Sequence, residues 1–293
     1  MVMIYENDKL ILDNFRTVLK DYSVDVQDVV RSAILDGVDI TKYIESCKNN
    51  AYRLDQIRLG MKENLEEIFL NIKNGDSIYK IRKLKERGVS LSGIQSQIRQ
   101  GVLNEESLNK LISWVELGYN IENINISIIP KSLFEVFEQG FQKGFDMKIF
   151  NDGRNYKPMY VRYCLVIMAN RKDIHPFLSD KLWSEDCIKQ LAIFSKIRSQ
   201  EKWSTLIKNI NPNISSDKLD VLISCVKNGI NISILSGDDW TTQGIRFILK
   251  AFENNLDYNS LINVGPDEDT ILTKLNEIML NKNKRVSGRL RKN

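Results

Sequence analysis

A residue that can stop a helix, followed by an apolar, a short polar and usually a second apolar residue, recurs along the chain and sets where its helices can run. The copies read GVDI at Gly37, NLEE at Asn64, GVSL at Gly88, GYNI at Gly118, GFDM at Gly144, RKDI at Arg171, GINI at Gly229 and NLDY at Asn255. A degenerate copy is expected around residues 187–210. The spacing of roughly 24 to 30 residues is the period of a repeat array, in which each unit buries its apolar face only by stacking on its neighbours. The expected fold is therefore all-α, an α-solenoid of about nine short helix-turn-helix repeats of roughly 27 residues.

The residues around each break explain how a unit is built. The segment VQDVVRSAILDG places Val26, Val29, Val30, Ala33 and Ile34 on one stripe at helical spacing. Glycine or asparagine then takes a left-handed backbone at low cost, and the apolar residue after it folds back on the last turn. Arg171 with Lys172 is the exception. Two positions past the break stand Asp39, Glu66, Ser90, Asn120, Asp146, Asp173, Asn231 and Asp257. All but Glu66 have a side chain short enough to accept a backbone N–H and start a second, shorter helix. Capping explains why Ser and Asn interchange with Asp there, which a calcium or catalytic carboxylate would not allow.

The array should span residues 1–281, with 1–24 capping one end and a helix over 266–280 capping the other. Pro266 suits a first turn, and Asp267, Glu268 and Asp269 suit the positive end of the helix dipole. The polar stretch KIFNDGRNYK before Pro158 reads as a loop or bend near 148–158. Of the net charge of +4, six basic side chains lie within 282–293 (Lys282, Lys284, Arg285, Arg289, Arg291, Lys292) with no acid among them. The rest of the chain is close to neutral, and 282–293 reads as a flexible basic tail.

Hydrophobic content of 42% and charged content of 27% are those of an ordinary folded chain. The opening MVMIYENDKLI lacks the pattern of a signal peptide, and no apolar run approaches the roughly 20 residues a membrane helix needs, so a cytoplasmic protein without a membrane partner is expected. Cys47, Cys164, Cys187 and Cys225 form no CxxC pair and read as small buried hydrophobes. One histidine, His175, and no phosphate-cradling glycine motif leave no visible basis for catalysis, and no metal or cofactor is expected.

The segments LDQIRLGMKENLEE (54–67) and VVRSAILDGVDITKY (29–43) resemble the tandem QIRLGLExGLDVSxY repeats of uncharacterised helical-repeat proteins carried on plasmids and mobile elements of low-GC Gram-positive bacteria. The resemblance implies an all-α repeat fold on a mobile element and no known activity. Abundant Ile, Asn and Lys agree with an AT-rich genome.

Arg31, Arg58 and Arg82 each stand six residues before a break, so stacking would align them as a ladder toward phosphates or an acidic partner helix. The competing reading is local pairing, with Asp28 and Asp55 three residues before Arg31 and Arg58. Lys80, Arg82, Lys83, Lys85 and Arg87, beside Tyr79, make the densest basic helix, either a contact for nucleic acid or acidic protein or simply a solvated face. Trp114, Trp183 and Trp203 read as core, whereas Trp240, in the turn GDDWTT, is a contact residue if exposed. Together with the tail residues Lys284, Arg285, Arg289, Arg291 and Lys292 these are the candidate binding residues. The expected function is a non-enzymatic scaffold that binds another protein through its concave face; the alternative is nucleic-acid binding through the basic helix 79–87 and the tail.

Overall fold

The computed structural model describes residues 19–100, 104–122 and 124–290, with side chains as far as residue 282. Among these residues the chain is all-α and contains no strand. The long helices are α1 (Val24–Asp36), α2 (Ala51–Lys62), α3 (Gly75–Glu86), α4 (Glu105–Glu116), α5 (Phe134–Gln142), α6 (Pro158–Ala169), α7 (Glu185–Phe194), α8 (Ser216–Lys227), α9 (Thr242–Glu253) and α10 (Glu268–Leu290). Two compact units divide at the polar interruption, Met1–Asn155 and Tyr156–Asn293. The N-terminal cap read from the sequence falls largely on residues 1–18, outside those described.

Every break works by the same local device. Gly37, Asn64, Gly88, Gly118, Gly144, Arg171, Gly229 and Asn255 all have positive φ, between 51° and 81°. In each copy the residue after the break donates its N–H five residues back, as Val38 does to the Ala33 carbonyl (2.9 Å) and Ile230 to Cys225 (3.0 Å), while the break residue donates three back. This is the Schellman closure, which satisfies carbonyls that a helix end otherwise leaves orphaned. At Arg171 the apolar residue is replaced by Lys172, whose stem is buried and whose ammonium reaches Gln200 (2.8 Å) and lies 6.0 Å over the Trp203 ring. A long side chain there supplies apolar stem and polar head together.

The short polar residue two positions on caps the next element, as expected. Asp39, Asn120, Asp146, Asp173 and Asn231 each accept the backbone N–H two residues ahead, at 2.9, 3.2, 3.0, 3.0 and 2.9 Å. Glu66 makes no such bond. These second elements are shorter than a full helix in several units: a four-residue helix at Thr41–Ile44 and at Glu67–Leu70, and a single 3-10 turn at Met147–Phe150 and His175–Phe177. One helical turn suffices because the following apolar side chain (Ile40, Ile121, Met147, Ile174, Ile232) is already buried at the cap itself.

The degenerate copy is built differently. Between Arg171 and Gly229 no residue has positive φ. α7 instead ends at Ser195, whose buried hydroxyl donates to the Ala192 carbonyl (2.7 Å) and accepts from Asn170 (3.0 Å). Ser199 then caps the helix Gln200–Lys208. A side chain does at this position what backbone handedness does elsewhere.

In the first unit α1 packs on α2, α2 on α3 and α3 on α4; in the second α6 packs on α7, α7 on α8, α8 on α9 and α9 on α10. The stripes face these contacts: Val26, Val30 and Ala33 of α1, Leu54 and Ile57 of α2, and Ile78, Ile81 and Leu84 of α3 are buried, each large side chain contributing about 1.5–3 kcal/mol. Val29 and Ile34 sit half-buried at the stripe's edges. Trp114 of α4 meets Phe134, Phe137 and Phe141 at centroid distances of 5.7, 6.2 and 5.3 Å. The second elements are joined too, as Asn125 and Asn151 exchange backbone and side-chain hydrogen bonds at 2.6 and 2.9 Å.

The C-terminal expectations need correction. The helix does not stop near Leu280 but continues to Leu290, so the stretch 282–290 is helical backbone rather than flexible tail. Lysine, arginine and leucine are good helix formers and outweigh Asn283, Val286, Ser287 and Gly288, so low apolar content does not end the helix. Pro266 stands before the helix, and Asp267 is its cap, accepting from the Thr270 N–H (2.8 Å).

Gly88 tests the break. A Cβ there would meet nothing within 4 Å, so only its φ of +74° opposes a side chain. Gly88→Val should lower stability by about 1–2 kcal/mol. Gly88→Asn should be near neutral, since asparagine holds this position at Asn64 and Asn255. Urea unfolding of both variants checks the difference.

Candidate functional site

The arginine ladder is not a free surface. Arg31 pairs locally with Asp28 (2.7 Å) and stays exposed. Arg58 reaches back one unit to Asp36 while also pairing with Asp55 (2.8 Å), and Lys62 joins Asp36 from the other side (2.7 Å). Arg82 is only 6% exposed. It forks onto Glu63 of the preceding unit, with Nε at 3.0 Å from one carboxylate oxygen, and donates from Nη1 to Gln56 (2.6 Å). Asp36 and Glu63 each stand immediately before a break, so in these two copies the arginine six residues before one break is clamped to the acid closing the previous helix. Sequence reasoning found the arginines and missed their acids, although the acid-break pairs DG and EN were visible.

The basic helix is taken apart in the same way. Lys83 pairs with Glu86 (2.5 Å) and lies 6.0 Å over the Tyr79 ring. Lys85 caps the end of α2 by donating to the Glu63 carbonyl (2.9 Å) and to that of Asn64. Arg87 reaches Glu116 of the next unit (3.1 Å). Lys80 alone of the five has no partner among the described residues. It and Tyr79 are exposed, and Tyr52 emerges from α2 beside Asp76 and Tyr79. Lys80 is therefore the cation of this helix that is exposed and unpaired among the described residues, with Tyr79 and Tyr52 exposed near it.

Trp240 is 4% exposed and belongs to the core, which corrects its assignment as a contact residue. Its backbone N–H donates to the Gly237 carbonyl (3.1 Å), and this tight turn folds the indole inward. Trp114, Trp183 and Trp203 are buried as expected. Lys284, Arg285 and Arg289 lie on the backbone of α10 with side chains beyond those described; Arg291 and Lys292 lie outside the described residues.

All four cysteines are buried and unpaired. Burial pushes the Cys164 thiol up to about 12 and, with the Glu253 charge adding to it, Cys225 to about 12, which leaves them without thiolate character at neutral pH. His175 is exposed and its Nδ1 lies 2.6 Å from Asp173, completing the cap rather than a catalytic set. Among the described residues no three His, Cys, Asp or Glu side chains converge as a metal set, and no helix is long and apolar enough to cross a membrane. No family model, curated protein or solved structure matches the chain.

Several carboxylates are held below their ordinary range, some by contacts that join units and some by the caps. Lys62 foremost, then Arg58, lowers Asp36; at Glu138 burial pushes upward but hydrogen bonds from Lys110 (2.8 Å) and Trp114 Nε1 (2.9 Å) prevail; the Thr41 hydroxyl and N–H lower Asp39. A depressed folded-state pKa gives stability that is present above the unfolded value and lost as protons are forced on. The thermal midpoint should hold near neutrality and fall from about pH 5 downward, which calorimetry across that range would show.

Proposed function

We propose that the chain is a non-enzymatic α-solenoid of about nine helix-turn-helix units that binds another protein through its concave face, in the cytoplasm, as a modulator encoded by a mobile element. The observation that supports this most is the division of labour along the chain. The breaks, caps and stripes repeat with little change, and the residues between them vary, which is how repeat scaffolds present a changeable surface on a constant core. Exposed aromatic residues next to an unpaired cation, as at Tyr52, Tyr79 and Lys80, are of the kind that anchor protein interfaces.

Nucleic-acid binding is the weaker reading, because Arg82, Lys83, Lys85 and Arg87 are engaged with neighbouring groups. It rests on Lys80 and the basic residues beyond 281. Affinity capture with tagged protein from a low-GC Gram-positive lysate separates the two. A stoichiometric protein that survives nuclease, and is reduced by the paired change Tyr79→Ala and Lys80→Glu without loss of thermal stability, is the expected result. Capture abolished by nuclease, or falling steeply with salt and with removal of 282–293, would transfer the function to nucleic acid.

A further inference from the structure

The hydroxyl of Tyr43 is buried and makes no hydrogen bond among the described residues. Folded interiors leave few such groups orphaned, and each one has a structural reason. Tyr43 is 4% exposed and stands in the wall of an open pocket of about 520 Å³ at the start of α2. The same pocket is lined by Lys42, Arg53 and Lys73 and by the amides of Asn50 and Asn71. Three cations from separate segments thus surround one cleft.

The arginine is the fixed point. Arg53 Nε donates to the Ile72 carbonyl (2.9 Å), and Nη1 donates to the Ser46 carbonyl (3.2 Å) and hydroxyl (3.3 Å). These bonds hold the guanidinium plane and leave Nη2 without a partner among the described residues. Lys73 is exposed and likewise without an ion pair among them, while Lys42 is paired with Glu67 (2.5 Å). Asn50 caps α2 through its bond from the Arg53 N–H (2.9 Å), so the positive end of a twelve-residue helix adds to the field.

Three cations against one carboxylate leave two positive charges, with hydroxyl and amide donors beside them. A carboxylate ligand would answer one of those charges; a phosphate monoester answers both and brings enough oxygens to accept from the guanidinium, an ammonium and a side-chain amide at once. We propose that this pocket is a binding site for the dianionic phosphate of a phosphate monoester, with Arg53 as its rigid fork and Lys73 as its mobile counter-charge. The site lies within the first unit and does not depend on the protein-binding reading above.

Calorimetric titration and thermal shift with inorganic phosphate at about pH 7.5, where phosphate monoesters are largely dianionic, test the site against acetate and chloride at matched ionic strength. Phosphate should bind and raise the thermal midpoint, and acetate should do neither. Lys73→Ala should weaken phosphate about tenfold without moving the midpoint of the free protein. Tyr43→Phe, which deletes a hydroxyl enclosed behind the pocket wall, should leave the affinity for phosphate unchanged. Absence of phosphate heats, an equal response to acetate, or full affinity in Lys73→Ala would overturn the proposal. Repeating the titration with glycerol phosphate and with a phosphoserine peptide assigns the source: gain with either upholds the site, and the larger gain says whether the phosphate is borne by a small molecule or by a protein.

Discussion

Trp114→Ala is expected to lower stability by about 3–5 kcal/mol, enough to unfold a large fraction of a marginal domain at physiological temperature. The indole is fully buried, is surrounded by Phe134, Phe137 and Phe141, and donates from Nε1 to Glu138 at 2.9 Å. Alanine leaves a void between α4 and α5 and removes one of the two groups that hold Glu138 ionised. Trp114→Phe keeps most of the packing and should cost distinctly less. If both changes cost less than about 1 kcal/mol in urea unfolding, the aromatic cluster is not what joins these helices.

Arg82→Glu is the second large effect, about 3–5 kcal/mol, because it sets a new carboxylate against Glu63 in a place where the native guanidinium is almost entirely enclosed. Arg82→Met should be the milder change. It retains the apolar stem and leaves Glu63 facing water, so its cost falls to that of the unpaired Gln56 oxygen, about 1–3 kcal/mol. A charge reversal at Arg82 is therefore a test of folding and not of partner binding, whereas Lys80→Glu, on the same helix but exposed, reports on the surface alone. Circular dichroism melts of Arg82→Glu, Arg82→Met and Lys80→Glu would order them as stated.

What was legible in the sequence is what is decided within a few residues. The left-handed break, the backward bond and the forward cap together need only about seven consecutive residues, so the seven glycine and asparagine breaks and the failure of Glu66 as a cap could be read from residue type, and the break at Arg171 from its place in the repeat. Partners that meet across a unit boundary were not legible. Arg58 and Asp36 lie 22 residues apart and Arg82 and Glu63 lie 19 apart, and that difference is the slip in register between neighbouring units that periodicity cannot supply. The same gap hid the phosphate pocket, whose cations Lys42, Arg53 and Lys73 come from three different elements. Trp240 escapes a reading by residue type because a polar turn can fold one large side chain inward, and the tail escapes it because helix propensity extends α10 where apolar content alone would end it.

Each break closes its own helix with bonds that stay within about six residues, as the Val38 to Ala33 and Gly37 to Ile34 pairs do. The ends of the units are therefore interchangeable at the level of the gene. A crossover between two copies at equivalent breaks deletes or duplicates a whole unit, yet the junction residues find the same bonding partners they had before. The contacts across the seam, the packed stripes and the clamp between an arginine and the preceding acid among them, would be remade with a new neighbour. Length in such a chain can change in single steps, and selection acts afterwards on the seam.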